Sequence, residues 1–238
     1  MKIIQNILTK NPCYRTGRKI TVKGLMLHSV GCNQPKAAVF INQWDKTNPA
    51  TAVCPHGIID GNTGDTYQLL PWNHYGYHAG SSANATHIGV EMGEPACIKY
   101  KPYSDRFTFK ESDRAQAVAV AKRTYASAVQ LFAQLCKQYK LDPLADGVII
   151  SHAEGYKRGV ASGHSDPEHL WEQLGLSYTM DSFRQAVKKA MGSTNTAAGS
   201  KVLYRVQVGA YSVKANAEAQ LKKLKAAGFD GFITTVKK

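Results

Sequence analysis

The sequence predicts an α/β protein in which helices flank a mixed central β-sheet, followed by a small β-α-β module at the carboxyl terminus. Three observations predict this class. Short apolar runs bounded by turn residues, at 24–30 and 147–151, are typical of buried strands. Apolar residues spaced three or four apart from Ser112 to Tyr139 are typical of a long amphipathic helix. A small, polar segment at 192–200 then precedes a second, shorter β-α-β pattern.

The strands predicted first along the chain are GLMLHSV at 24–30 and a pair at 52–60 and 65–70. The pair is joined through Gly61-Asn62-Thr63-Gly64, where glycines permit the positive φ of a tight turn. A later strand, GVIIS at 147–151, resembles the first because each ends beside a histidine. We therefore expect both histidines near strand ends, where loops commonly form sites.

Two helices are predicted to cover the sheet. The stripe of the long helix consists of Val118, Ala121, Tyr125, Val129, Phe132, Cys136 and Tyr139, so Cys136 is expected in the core. The helix should end before Asp142-Pro143, because the residue preceding a proline disfavours helical geometry. A last helix at 181–191 carries Phe183, Val187 and Met191 on one face.

We expect three parts along the chain: a catalytic domain at 1–191, a linker at 192–200 and a module at 201–238. Within the module, 203–208 and 232–236 have strand character, and 215–227 has helical spacing. A unit this short has a marginal core. It is therefore expected to lean on the main domain or to pair with a second copy of the chain.

The composition is that of a globular protein, with 238 residues and 43% apolar residues. No run approaches the roughly 18 apolar residues of a membrane span, and Met1 to Lys10 lacks the apolar stretch of a secretion signal. Five scattered cysteines favour reduced thiols over a disulfide framework. These features predict synthesis in the cytoplasm and no membrane partner.

The residues that indicate chemistry are His28, His152 and the segment SHAEGYKRGVASGHSDP, which brings back His164 and Asp166. A hydrolytic zinc site uses three nitrogen or carboxylate ligands and one open position. His28, His152 and Asp166 supply such a set, and His164 is the rival third ligand. The alternatives are that both histidines only pack in the core, and that Asp166, before Pro167, caps a helix.

Further motifs accompany these residues in order: CPHGIIDGNTGDTYQLLP, YHAG and IGVEM between the LMLHSVG strand and the SHAEG to SDP loop. Together they resemble the type 2 N-acetylmuramoyl-L-alanine amidases, relatives of the peptidoglycan recognition proteins and of many phage endolysins. The resemblance covers residues 24–171. Several ordered motifs are more specific than any one of them.

The resemblance implies the amidase type 2 fold and a Zn²⁺ ion held by His28, His152 and Asp166. It implies that Glu91 of IGVEM is the acid or base, and that His164 steadies the developing oxyanion. A salt bridge at the strand end is the alternative for Glu91. The stretch of fourteen positions from His152 to Asp166 is longer than the common family pattern, which keeps His164 open as a ligand.

The resemblance also implies a substrate groove. His78 of YHAG is expected to contact the substrate, and the alternative is that it only packs. Tyr77 is expected to stack on the substrate and Asn84 to form hydrogen bonds with it. His56, His74, His87 and His169 are expected to be structural or solvent-facing. Cys32 and Cys54 are expected to pack, and Glu154 is expected to support the site or lie on the surface.

The implied activity is hydrolysis of the amide between the lactyl group of N-acetylmuramic acid and the L-alanine of the stem peptide in peptidoglycan. We expect a phage or prophage endolysin that acts at the cell wall after release from the bacterial cytoplasm. Two alternatives remain open. One is a non-catalytic peptidoglycan recognition protein, and the other is a zinc peptidase that cuts within the stem peptide.

The carboxyl-terminal motifs VQVGAYS and AGFDGF resemble the sporulation-related repeat, a family that binds peptidoglycan glycan strands, although only about half of the usual repeat is present. The chain has a formal charge of +13. Its basic residues are dispersed and include no nucleic-acid-binding motif. This charge favours anionic cell-wall polymers as partners over nucleic acid, and the alternative is that it serves only solubility.

Overall fold

A six-stranded mixed sheet forms the centre of the first of two units, Met1–Asn195 and Thr196–Lys238, in the computed structural model. The structure describes residues 1–48, 52–101, 108–192, 208–228 and 233–235. The six strands, in chain order, are β1 (Ile3–Gln5), β2 (Gly24–Ser29), β3 (Gly57–Ile59), β4 (Thr66–Gln68), β5 (His87–Met92) and β8 (Ile149–Ser151). Their spatial order is β1-β4-β3-β5-β2-β8. A separate antiparallel hairpin consists of β6 (Ile98–Tyr100) and β7 (Phe109–Glu111).

The register of the central strands determines which residues meet at the sheet's edge. Strand β2 pairs in parallel with β5, which places His28 opposite Glu91. On its other side β2 pairs in parallel with β8, up to Leu27 opposite Ser151. Because His152 directly follows Ser151, both histidines and Glu91 lie at the same carboxyl edge of the sheet. Every residue of β2 is buried, as expected for an inner parallel strand.

Helices pack around this sheet. They are α1 (Pro12–Arg15), α2 (Ala37–Trp44), α3 (Arg114–Tyr139), α4 (His152–Lys157), α5 (Glu168–Gln173) and α6 (Met180–Gly192), with a 3-10 helix at Ser82–Ala85. Helix α3 starts at a capping residue, Asp113, whose side chain accepts from the Gln116 N–H. It ends at Tyr139, and the capping residue that follows, Lys140, has a left-handed φ of 55°. None of the helices described is long and apolar enough to cross a membrane.

One face of the sheet is covered by α3 and α6. Phe132 of α3 and Phe183 of α6 are fully buried with ring centroids 5.2 Å apart, and Trp171 of α5 is buried beside them. Fully burying each such side chain contributes roughly 1.5–3 kcal/mol. These side chains share one core cluster with Ile149 of β8, the strand that leads to His152.

The predicted elements of the first unit are largely confirmed. The predicted strands at 24–30 and 147–151, the 52–70 hairpin and both helices are present, with the strands shorter than expected. Cys136 is fully buried in the core, as predicted, and Cys54 packs in a second cluster with Cys32 beside it. The sequence did not predict β1 or the β6–β7 hairpin.

The second unit contains one described helix, α7 (Lys214–Ala226), which confirms the predicted helix. Residues 233–235 have no regular secondary structure where a strand was predicted at 232–236. Most of that module's first predicted strand, and the predicted linker after Gly192, lie outside the described residues.

Candidate active site

A cleft of about 830 Å³ opens at the carboxyl edge of β2, β5 and β8. His28, Glu91, His152, His164 and Asp166 all line it. Strand β2 carries His28, β5 carries Glu91, and α4 begins with His152. The loop between α4 and α5 returns His164 and Asp166 to the same edge. The fold therefore brings together the residues predicted from distant motifs.

Three of these residues form a compact donor cluster. The Nδ1 atoms of His28 and His152 are 3.0 Å apart. Asp166 places Oδ2 3.5 Å from His28 Nδ1 and Oδ1 3.7 Å from His152 Nδ1. Ligands held roughly 2.0–2.1 Å from one tetrahedral ion stand about 3.3 Å from each other. The observed separations bracket that value, so this donor set fits a zinc ion.

The electrostatics favour the metal-binding protonation state for two of the three residues, His152 and Asp166. Burial acts to lower the pKa of His28, but the charges of Glu91 and Asp166 outweigh it and raise that pKa, so His28 gives up a proton when a metal binds. Burial, together with the charge of the neighbouring His28, lowers the pKa of His152 to about 4, which favours its neutral ring. Burial also acts to raise the pKa of Asp166. The hydrogen bond and charge of His28 outweigh burial, so the pKa of Asp166 is lowered.

The side chain of Asp166 faces the cluster and does not cap a helix. Its Oδ2 accepts a hydrogen bond from the Ser29 backbone N–H at 3.2 Å. The capping residue of α5 is Pro167, and no side chain forms a cap hydrogen bond there. The helix-cap alternative for Asp166 is therefore wrong.

Glu91 lies in the cleft with one oxygen uncommitted. Its Oε2 is buried and has no hydrogen-bond partner among the described residues. Burial raises the pKa of Glu91 to about 7, with His28 opposing the rise and Asp166 adding to it. No ion pair within 4.0 Å involves Glu91 in the described part of the chain, so the salt-bridge alternative has no support there. A carboxyl group with this pKa is suited to exchanging a proton near neutral pH.

His164 lies on the rim of the cleft, with its side chain 47% exposed. Its Nδ1 is 3.3 Å from His152 Nδ1 and 4.0 Å from Asp166 Oδ1. His164 is thus adjacent to the buried cluster. The third member of that cluster, beside His28 and His152, is Asp166. The position is open to a group entering the cleft.

The predicted groove residues occupy different surroundings. Tyr77 is 43% exposed on the cleft wall. Asn84 is buried, and its Oδ1 accepts from the backbone N–H groups of His78 and Ala79 at 3.0 and 2.8 Å. That oxygen is therefore committed to the protein. His78 is buried behind His28, with 3.0 Å between His78 Nδ1 and His28 Nε2.

Several cleft residues were not predicted. Phe40, Gln43 and Trp44 of α2 form one wall together with Val53. The ring centroids of Phe40 and Trp44 are 5.1 Å apart, and their spacing of four residues on a short helix was the available signal. Ser162 was also missed, and its Oγ lies 3.2 Å from the second ring nitrogen of His152.

The remaining polar residues support the structure. The four histidines predicted to be structural or solvent-facing are all buried: His56, His74, His87 and His169. Glu154 completes the capping box of α4 and pairs with Arg184, which is the supporting role predicted for it.

Comparison with known proteins identifies two matches along the chain. The profile of the N-acetylmuramoyl-L-alanine amidases matches residues 17–169, and that of the SPOR domain matches residues 180–236. The second match includes α6, whose Phe183 and Val187 belong to the core of the first unit. No curated protein sequence matches the chain.

Solved structures of similar fold include the hydrolase AmiA of Staphylococcus aureus, at 18% identity and a TM-score of 0.57, over 80% of this chain and 83% of that one. A mutant endolysin from Bacillus subtilis is 21% identical with a TM-score of 0.52, over 79% and 99% of the two chains. The catalytic domain of XlyA is 23% identical with a TM-score of 0.52, over the same shares. These likenesses confirm the predicted fold. With most of its first unit matched by the amidase profile, the chain belongs to the N-acetylmuramoyl-L-alanine amidase family.

Proposed function

We propose that this protein is a zinc-dependent amidase that hydrolyses the bond between the lactyl group of N-acetylmuramic acid and L-alanine in peptidoglycan. One observation carries the proposal. In a chain of this family, two imidazole nitrogens and a carboxylate converge within 4.8 Å, and the free oxygen of Glu91 lies in the same cleft. That arrangement supplies both a metal-binding set and a proton acceptor.

We assign His28, His152 and Asp166 as the residues that would hold the ion. Zinc bound there supplies a Lewis acid that polarises the amide carbonyl and lowers the pKa of water. Residues of the chain itself transfer the protons. Glu91 accepts the proton of the attacking water at Oε2 and returns it to the nitrogen of the leaving L-alanine.

His164 completes the proposed site. From the rim it donates a hydrogen bond to the carbonyl oxygen as negative charge develops there, a contribution of roughly 3 kcal/mol for comparable donors. Its exposure, and the completion of the buried donor cluster by Asp166, support this role over that of a metal ligand. Tyr77, Phe40 and Trp44 offer aromatic surface in the cleft for the substrate.

The presence of a complete donor set favours a hydrolase over a non-catalytic recognition protein. A protein that only grips muropeptides needs neither a third ligand such as Asp166 nor a buried carboxyl group with a pKa near neutrality. A zinc peptidase would use the same metal centre as the proposed amidase. The two enzymes differ in the bond that they cut. Fragment masses therefore separate it from the amidase.

We further propose that the basic carboxyl-terminal part binds the cell wall as a SPOR domain, and that the protein is a phage or prophage endolysin acting at the wall. The SPOR match and a charge of eight basic against two acidic residues in 201–238 support wall binding. The division into a catalytic domain, a linker at 192–200 and this module is part of the same proposal. Self-association through the module is a prediction for sedimentation analysis.

The full chain can test the activity directly. Purified protein should contain one zinc per chain, clear isolated peptidoglycan, lose this activity to a chelator and regain it with Zn²⁺. The products should be stem peptides with a free L-alanine amino group and glycan with an intact lactyl group. Cleavage between stem-peptide residues would instead establish a peptidase.

A pair of matched variants tests the ligand assignment. Asp166→Asn should lose stoichiometric zinc, whereas Asp146→Asn should retain it, because Asp146 pairs with Arg158 at the exposed surface. Activity that survives complete removal of metal would refute the proposal.

A further inference from the structure

Behind the zinc-binding cluster lies a buried chain of hydrogen bonds that the proposed reaction does not use. His28 has its Nδ1 in the cluster and its Nε2 3.0 Å from His78 Nδ1. The other nitrogen of His78, Nε2, is 3.0 Å from the backbone carbonyl oxygen of His87. His28 is only 1% exposed and His78 only 9%, so water does not substitute for these partners.

The carbonyl at the end of this chain determines where each proton resides. A carbonyl oxygen only accepts, so Nε2 of His78 must carry the proton that it donates. A neutral imidazole has one donor and one acceptor, so Nδ1 of His78 is then an acceptor. The group that donates to Nδ1 of His78 must therefore be an N–H at Nε2 of His28. In the neutral form that binds a metal, His28 therefore has its lone pair at Nδ1, which faces His152 and Asp166.

The surroundings hold the His78 ring in the orientation this chain requires. The ring lies against Gly89 so closely that a Cβ at Gly89 would overlap with it. Asn84 fixes the backbone of His78 and Ala79 through its Oδ1. The ring of His56 packs edge-on at a centroid distance of 5.6 Å. His78 therefore has little freedom to turn toward a ligand in the cleft.

We propose that His78 is a positioning residue that holds His28 in the tautomer whose Nδ1 binds zinc, in place of the substrate contact that the sequence suggested. The inference rests on the proposed zinc site. Metal-ligating histidines commonly donate their second N–H to a protein acceptor, and loss of that acceptor typically weakens metal affinity 10- to 100-fold. Here the acceptor is another imidazole, itself oriented by a backbone carbonyl.

Two substitutions in the full chain distinguish the effect of the hydrogen-bond acceptor of His78 from the effect of the volume of its ring. His78→Phe keeps a ring and removes both nitrogens. His78→Asn keeps an acceptor oxygen and a donor. We expect His78→Phe to weaken zinc binding 10- to 100-fold in competition with a chromophoric chelator, and His78→Asn to restore most of the affinity. His74→Phe is the control and should keep the wild-type zinc affinity, because it removes a buried imidazole whose ring pairs with Lys19 and lies outside this chain of hydrogen bonds.

A kinetic readout distinguishes positioning from substrate contact. At saturating zinc, His78→Phe should recover kcat with an unchanged KM for a soluble muropeptide. A raised KM with unaltered zinc affinity in a folded variant would overturn the inference and support the groove role.

The tautomer itself can be measured in the metal-free wild-type protein. Long-range ¹H–¹⁵N spectra should show His28 protonated at Nε2 and His78 also protonated at Nε2. A neutral His28 that carries its proton at Nδ1 and none at Nε2 would overturn the inference, even if His78→Phe fails to fold. If the wild-type chain binds no zinc at all, the proposed function fails, while these spectra still decide whether His78 sets the tautomer of His28.

Discussion

Two carboxyl groups in the same cleft are tuned in opposite directions by their immediate neighbours. Asp166 accepts from the Ser29 N–H and faces two histidines, which lowers its pKa. Glu91 has an oxygen without a partner among the described residues, and burial raises its pKa to about 7. Such divergence is a common way of separating a permanently ionised ligand from a proton-exchanging group.

Replacing Glu91 should therefore stop the reaction without emptying the site. Glu91→Gln removes the proton acceptor and preserves the shape of the side chain, so turnover should fall by roughly 10²- to 10⁴-fold. Zinc content, measured by mass spectrometry of the metal, should stay at one ion per chain. Glu111→Gln, on the β6–β7 hairpin, is the matched control and should retain full activity. Loss of zinc from Glu91→Gln would mean that Glu91 is a ligand.

Glu94 offers a separate prediction about stability and pH. It is completely buried, and it accepts from the Gly31 N–H at 3.1 Å and from the Tyr100 hydroxyl at 2.5 Å. Burial outweighs both donors and raises its pKa from 4.5 to about 7. Between these values the folded protein keeps a proton that the unfolded chain has lost. Stability contributed by the protonated group is therefore lost as the pH rises through this window.

The measurement is denaturant unfolding of the wild-type chain and Glu94→Gln from pH 4 to pH 8. The free energy of unfolding of the wild type should fall relative to the variant by about 3 kcal/mol over this range. A difference that stays constant with pH would show that Glu94 does not titrate as described.

At the scale of elements, the ion pair between Arg184 of α6 and Glu154 of α4 ties the helix that begins with His152 to the covering layer. Nη1 and Nη2 of Arg184 donate to the two oxygens of the Glu154 carboxylate, at 2.9 and 3.0 Å. Nη1 also donates to the carbonyl of Ile149 in β8, at 2.9 Å. The Arg184 side chain is 18% exposed and that of Glu154 is 25% exposed. The pair is thus shielded more than an ordinary surface ion pair.

Arg184→Met should lower the free energy of unfolding by about 2 kcal/mol, because it leaves a partly buried carboxylate and a carbonyl without their donor. Arg158→Met removes an exposed pair with Asp146 and should cost no more than about 1 kcal/mol. Urea denaturation of both variants provides the comparison. Equal losses would show that the position of Arg184 between α4, α6 and β8 has no special importance.

Predictability differed among the elements for a physical reason. Helix α3, with 26 residues, and strand β2, with 6 residues, were predicted because each is long enough for its apolar residues to show a pattern in the sequence. Strand β1 and the β6–β7 hairpin have three residues per strand, too few to establish a period. Strands β3, β4 and β8 are equally short, but a glycine-containing turn and a glycine-bounded apolar run marked them in the sequence. Their pairing depends on partners elsewhere in the chain, such as Ile3 with Thr66.

For the whole molecule, the decisive experiment concerns the basic carboxyl-terminal part. A chain ending at Asn195 retains α6, which the core of the first unit requires, and removes residues 196–238. We expect it to cleave soluble muropeptides as the full chain does and to lose most of its binding to intact cell walls. Co-sedimentation with purified walls measures that binding.

Salt provides a second readout of the same interaction. Binding of the full chain to walls should weaken as the NaCl concentration is raised from about 0.05 M to about 0.5 M. The reason is that the Debye length, over which charges attract each other, falls from more than about 10 Å to less than about 8 Å. If the truncated chain sediments with walls as fully as the intact one, wall binding resides in the first unit.

The sequence alone predicted the family and the sheet-and-helix class, because motif order and apolar periodicity are local properties of the chain. It also proposed His28, His152 and Asp166 as the donor set, with His164 as the rival third ligand. It did not determine that Asn84 holds a turn or that His78 faces His28. His28 meets a partner 124 residues away on one nitrogen and a partner 50 residues away on the other. Only the parallel register of β2 with β5 and β8 brings these groups into contact. Tautomers, carboxyl pKa values and the direction of each hydrogen bond depend on such contacts, so the tertiary structure decided them.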